Sequence, residues 1–223
     1  MIDSQKTLIP TRVWPWLTPL AYTLARWVVL PFYFGEITIS GQKNVPQTGA
    51  VILAPTHRSR WDAILVPYAT GFLVSGRHPR FMVTSTEVTG FQGWLIKRLG
   101  SFPVDVDRPD LETLDYSIEL LNKGEMLVIF PEGGIFREAI VHPLKRGIGK
   151  IALEVLNRNP TAQIKILPIS IKYSETLPTR GCQVKIDIGE PLDVADYQDL
   201  SPRKGSQKLT QDLKTELKIL HET

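Results

Sequence analysis

Residues 50–55 (AVILAP) carry no polar position at all, which predicts a strand buried on both faces. Further short apolar runs at 81–85, 101–106, 126–130, 164–171 and 184–188 are bounded by polar or turn-forming residues and predict more strands. Between them, residues 94–99, 111–122 and 148–156 have the lengths or spacings of helices. Short strands interleaved with helices predict an α/β domain over residues 36–223, its mixed, mostly parallel sheet flanked by helices. Near the C-terminus, Ser201-Pro202 suits a cap and first helical position, and Leu209, Leu213, Leu217 and Leu220 fall on one stripe, predicting a packing helix.

Residues 1–35 follow a different pattern. The segment 13–34 (VWPWLTPLAYTLARWVVLPFYF) is long enough to reach across a hydrocarbon core, yet Arg26, Pro15, Pro19 and Pro31 interrupt it. Trp14, Trp16, Tyr22, Trp27 and Tyr33 are amphipathic rings suited to a headgroup layer. These features favour a helical segment lying in, or dipping into, one membrane leaflet over a spanning helix; the alternative is a helix packed on the protein's own core. The opening MIDSQKTLIP lacks the basic start and apolar run of a cleavable signal peptide, so a monotopic or peripheral place on the cytoplasmic face is expected. A formal net charge of +3 is far from that of a nucleic-acid-coating protein, and the lone cysteine, Cys182, permits no internal disulfide.

The chemistry begins where the best strand ends, at Thr56-His57-Arg58-Ser59-Arg60-Trp61-Asp62. Residues five apart in a regular helix are rotated by roughly 140°, so His57 and Asp62 meet only if His57 lies in the turn and Asp62 in the first turn of the following helix. In that arrangement the carboxylate accepts the proton on one imidazole nitrogen and leaves the other free as a base. No Gly-x-Ser-x-Gly elbow occurs in the chain, so the base has to activate a hydroxyl or water brought by the substrate.

Other candidates follow later strands. Arg108 offers a bidentate grip on a phosphate, and Glu132 accepts hydrogen bonds from a substrate hydroxyl or positions a neighbouring cation. Gly133 and Gly134 let backbone approach a ligand, and Lys145 and Arg146 put two cations just before a helix. If these strands run parallel to residues 50–55, all of these positions open on one crevice. Two signals are set aside. Gly147-Ile148-Gly149-Lys150-Ile151-Ala152 matches a dinucleotide fingerprint but does not follow a strand, and the four histidines show no metal-ligand spacing, so no metal is expected.

Together these residues resemble the glycerolipid acyltransferase family that includes the 1-acyl-glycerol-3-phosphate acyltransferases. His57 and Asp62 match its H-x-x-x-x-D motif, Phe130-Pro131-Glu132-Gly133 its F-P-E-G motif, and Pro168 the proline of its fourth block; Lys145-Arg146-Gly147 and residues 188–192 (IGEPL) are similar to its later sequence. The resemblance implies an α/β acyltransferase fold, a membrane-bound position and no cofactor. It also implies an acyl-CoA or acyl carrier protein donor and direct transfer to the free hydroxyl of 1-acyl-glycerol-3-phosphate, giving phosphatidic acid. Catalysis falls to His57 and Asp62, and acceptor binding to Arg108, Glu132 and Gly133. Three positions depart from the pattern: Thr56 stands for a common Asn, Gly134 for a common Thr, and Arg108 lies two residues beyond the expected spacing from Gly100. Competing readings are acylation of glycerol-3-phosphate or another lysophospholipid, a thioesterase, and a lipid-binding protein without turnover.

Overall fold

The computed structural model describes residues 13–14, 16–84, 90–104 and 111–223, without the side chains of residues 91 and 92. Residues 1–12, 15, 85–89 and 105–110, Arg108 among them, lie outside the described residues. The strands are β1 (Ile37–Ser40), β2 (Ala50–Pro55), β3 (Pro79–Thr84), β4 (Phe102–Val104), β5 (Met126–Val128), β6 (Ile164–Tyr173), β7 (Val184–Ile188) and β8 (Leu192–Asp193). They form one sheet in the order β1-β7-β6-β2-β5-β3-β4, with β8 on β6. Pairing is parallel except where β6 meets β7 and β8. The expected mixed, mostly parallel sheet is therefore present, and β6, β2, β5, β3 and β4 open their C-terminal ends on one edge.

β2 explains why residues 50–55 lack polar positions. It lies between β6 and β5, and every residue in it is buried. Ala50, Ile52 and Ala54 join one core cluster with α6 (Leu111–Asn122), α7 (Gly147–Arg158) and α8 (Pro202–Glu222). Val51 and Leu53 join a second with α3 (Asp62–Thr70), β6 and β7 on the other face. A period-2 strand with apolar residues at both parities has to be covered twice, and here it is. The pattern missed β1, a four-residue edge strand whose pairing with β7 spans most of the chain. It also marked only the first turn of α3, because DAILVPYAT is apolar almost all round and leaves no 3.6-residue period to detect. Helices α4 (Phe72–Ser75) and α5 (Gly90–Arg98) complete this part of the chain.

At the N-terminus, α1 (Leu17–Leu24), a π-helical stretch (Ala25–Val29) and α2 (Leu30–Tyr33) follow without a break. Among the described residues no helix is long and apolar enough to cross a membrane. One side of this segment packs inward, burying Leu30 and Phe34 in the second core cluster. The other exposes Trp16, Leu20, Leu24, Trp27, Val28 and Phe32, a stripe at helical spacing.

α8 packs Leu209, Leu213 and Leu217 against the first cluster, with Ser201 and Pro202 at its start as expected, while Leu220 is only half-buried. Gly149 lets α7 approach closely, since a Cβ there would lie 2.7 Å from the Ser206 carbonyl oxygen. The end of α8 is polar and buried. His221 Nε2 accepts from Arg58 Nε at 3.1 Å, which puts the ring proton on Nδ1, where it donates to Ser170 Oγ at 2.9 Å. Burial first, then the positive charges of Arg58 and Lys172, lower the His221 pKa from 6.5 to about 4. Between those values the unfolded chain binds the extra proton and the folded chain does not, so stability rises with pH across that window and is lost as pH falls through it. Urea unfolding midpoints are expected to drop as pH is lowered from 6.5 to about 4, and His221→Gln, which keeps an acceptor but cannot be protonated, to flatten part of that decline.

Candidate active site

The site forms where β2 ends. Thr56 is fully buried, its N–H donates to the Ile169 carbonyl, and its hydroxyl accepts from Ile171 N at 2.9 Å. The side chain thus continues the β2–β6 ladder for one more bond, which accounts for a threonine at this position. The chain then turns, the Asp62 N–H bonding to the Ser59 carbonyl, and α3 begins at Asp62. His57 is in the turn and Asp62 at the helix start, as the spacing required.

Asp62 has no solvent exposure and accepts four hydrogen bonds. Its Oδ2 receives Arg58 N at 2.7 Å, Ser59 N at 2.9 Å and His57 Nδ1 at 2.9 Å; its Oδ1 receives Tyr173 Oη at 2.6 Å. A carboxylate oxygen that already accepts two N–H groups also accepts from the imidazole, so the His57 proton is assigned to Nδ1. Nε2 has no hydrogen-bond partner among the described residues, and the side chain is 18% exposed. The imidazole stacks on Phe130 with centroids 3.8 Å apart and planes 20° apart, so the F-P-E-G phenylalanine is the wall that sets the ring plane. Burial, followed by the charge of Asp62, pushes the Tyr173 pKa up, so its hydroxyl stays protonated and donates.

Glu132 reaches the same site but faces into the protein. Its carboxylate is held by the Arg58 fork at 2.6 and 3.0 Å, with both side chains buried. The cation that Glu132 positions is therefore Arg58, whose fork takes both oxygens of the carboxylate. Arg58 also donates to the carbonyls of His57 and Ile140 and to His221, so all five guanidinium N–H groups have acceptors. The His57 carbonyl additionally receives Phe136 N at 2.9 Å. The backbone of the histidine is thus tied to the loop that follows β5.

Gly133 has φ +78°, and a Cβ there would lie 2.8 Å from Lys145 Cε. The lysine stem packs over this glycine while the residue remains exposed and its N–H bonds to the Pro131 carbonyl at 2.7 Å. Gly134 sits beside the Phe136 ring. Arg146 precedes α7 and lines a cleft of about 390 Å³ with Gln207, Gln211 and Lys214 of α8, so the two neighbouring cations face different surroundings. No group of residues among those described is arranged to hold a metal ion. Arg58 and His221 were given no role from the sequence, and Tyr173 was read only as the end of the strand carrying Pro168, on the edge shared with His57. Arg58 carried a signal, since it adjoins His57 inside the motif; the bonds of Tyr173 to Asp62 and of His221 to Arg58 span 111 and 163 residues and left none.

The chain matches the family model described as Acyltransferase over residues 36–172. It is 26% identical over 177 residues to the 1-acyl-sn-glycerol-3-phosphate acyltransferase of Streptococcus pneumoniae, covering 77% of this chain and 60% of that protein's length. It is also 26% identical over 194 residues to the protein of that name from Bacillus subtilis, covering 83% and 88%. The crystal structure of the 1-acyl-sn-glycerophosphate acyltransferase PlsC from Thermotoga maritima superposes with a TM-score of 0.64 at 19% identity, over 93% of this chain and 80% of that one, a likeness of fold. The match over residues 36–172 takes in His57, Asp62, the F-P-E-G block and Tyr173's neighbour on β6, so this chain belongs to the Acyltransferase family.

Proposed function

We propose that the protein acylates 1-acyl-glycerol-3-phosphate to phosphatidic acid, taking the acyl group from acyl-CoA or acyl carrier protein. The observation that carries this reading is a histidine held on a buried aspartate through Nδ1, with Nε2 open and no protein nucleophile bonded to it among the described residues. Nε2 removes the proton of the acceptor hydroxyl as its oxygen attacks the thioester carbonyl. The C–S bond then breaks, and the imidazolium returns the proton to the leaving thiolate. A positioned base contributes about 10²- to 10⁴-fold, and the thioester is already activated. The acceptor class is supported by the names of the two bacterial relatives. Lys145, exposed above Gly133, and Arg108 supply candidate phosphate cations, and backbone at Gly133 and Gly134 can approach the acceptor.

The exposed stripe on the N-terminal helices fits the surface of a lipid leaflet. Trp27 and Phe32 are 70% and 63% exposed, and each has an arginine against its ring, Arg26 at 5.6 Å and Arg180 at 4.1 Å. Rings with cations beside them suit the boundary between acyl chains and headgroup phosphates.

Transfer from a labelled acyl thioester to a panel of lysophosphatidic acid, glycerol-3-phosphate and other lysophospholipids is expected to favour lysophosphatidic acid. His57→Ala is expected to lower that transfer by about 10²-fold or more; activity equal to wild type, or thioester hydrolysis indifferent to acceptor, would defeat the reading. Because Leu30 and Phe34 belong to the core, the membrane role is best tested by surface changes. Trp16→Ser, Trp27→Ser and Phe32→Ser combined are expected to abolish sedimentation with phospholipid vesicles while far-UV circular dichroism stays unchanged.

A further inference from the structure

Nothing in the reaction as written requires a second hydroxyl near Asp62, yet one is there. The carboxylate's two oxygens are unequally served. Oδ2 has three donors, all from residues 57–59; Oδ1 receives Tyr173 Oη, 111 residues away. The last torsion of an aspartate is broad and nearly two-fold, so the backbone donors alone leave the carboxylate plane loosely set. A donor on the opposite oxygen removes that freedom.

Tyr173 is well anchored for this purpose. It is the last residue of β6, and its backbone is paired with Val184 of β7. Its ring lies 6.1 Å from Phe34, which also packs edge-on to Trp61, the residue before Asp62. Two bonds of Thr56 to β6 fix the register between that strand and the turn carrying His57. The ring is therefore carried by a strand outside the turn that holds His57, with its backbone fixed by pairing to β7.

We infer that Tyr173 is a positioning residue for the acyl transfer: its hydroxyl on Asp62 Oδ1 fixes the carboxylate plane facing His57 and tempers the basicity of the imidazole. Donation to the carboxylate draws negative charge toward Oδ1 and away from the oxygen facing the ring. Removing the hydroxyl leaves more charge opposite His57, favours the imidazolium and raises its pKa. The other ionisable groups packed around this cluster, the Arg58–Glu132 pair on the turn and the loop after β5, His221 of α8 behind Arg58, and Cys182 just before β7, are left in place by the change. The raised pKa of Tyr173 keeps it a donor rather than a competing base. This inference rests on the proposed transfer reaction for its kinetic readout but not for its spectroscopic one.

Tyr173→Phe keeps the ring and deletes the hydroxyl. It is expected to lower kcat about tenfold, with KM for donor and acceptor changed by no more than about twofold. The acid limb of the kcat/KM profile should move to higher pH, and an NMR titration of the His57 imidazole should show the same upward shift. Site-specific 3-fluorotyrosine at position 173, a stronger donor of nearly the same shape, should move both downward. The double variant His57→Ala with Tyr173→Phe should be no slower than His57→Ala alone, since Tyr173 acts through the histidine. A slower Tyr173→Phe enzyme whose pH profile and His57 titration stay at wild-type values would overturn the proposal, as would a fluorotyrosine protein that shifts neither, or a double variant slower than the single. A wild-type protein with no transferase activity would defeat the proposed function instead, while the His57 titration would still decide whether Tyr173 sets the imidazole.

Discussion

A carboxylate sealed from water has to find its hydrogen-bond donors inside the protein, and the arrangement around Asp62 is organised by that requirement. Two of its donors are the consecutive N–H groups of Arg58 and Ser59, which converge only because the chain turns sharply on leaving β2. That turn holds its shape because Thr56 stays bonded to β6 by both its backbone and its hydroxyl. The third donor is His57 itself, and the fourth comes from the end of β6. With every donor supplied, one imidazole nitrogen is committed to the aspartate and the other has no hydrogen-bond partner among the described residues. Phe130 then limits the remaining freedom of the ring by stacking on it.

Behind this turn stands a second buried charge system. The Arg58–Glu132 pair joins the loop after β2 to the loop after β5, and His221 and Ser170 extend it to α8 and β6. Buried ion pairs are weak evidence of stability, because desolvation offsets much of the attraction. What this one supplies is geometry: a guanidinium with all its N–H groups engaged cannot shift without leaving acceptors unpaired. The glutamate of the F-P-E-G block thus faces Arg58 inside the protein, while the Lys145 stem covers Gly133 on the exposed side.

The N-terminal helices serve two surfaces at once. Leu30 and Phe34 are core residues, and Tyr33 and Phe34 pack on Trp61 at 4.2 and 5.2 Å, bracing the start of α3. Their outer stripe faces away from the protein. Of the alternatives that the sequence left open for this segment, inward packing holds for the side carrying Leu30 and Phe34, and the opposite side is the exposed stripe on which the proposed leaflet contact rests.

Much of this was available from local pattern. β2, β7 and α6 have the expected limits, α7 and α8 fall within a residue or two of theirs, and the strand ends that were to share an edge do so. These signals are local because burial on two faces, helical spacing and a proline after a cap are each written within a dozen residues. What failed locally was β1, too short to stand out before β7 pairs with it, and the body of α3, apolar on its half-exposed side as well as its buried one. Chain order and spacing alone therefore determined the fold class and the meeting of His57 with Asp62 across a turn-to-helix junction. Only the tertiary structure decided that Glu132 belongs to Arg58, that His221 closes the same network and that Tyr173 completes Asp62. Those partners lie 74, 163 and 111 residues apart, and a hydrogen bond leaves no periodic trace in the sequence of either residue that makes it.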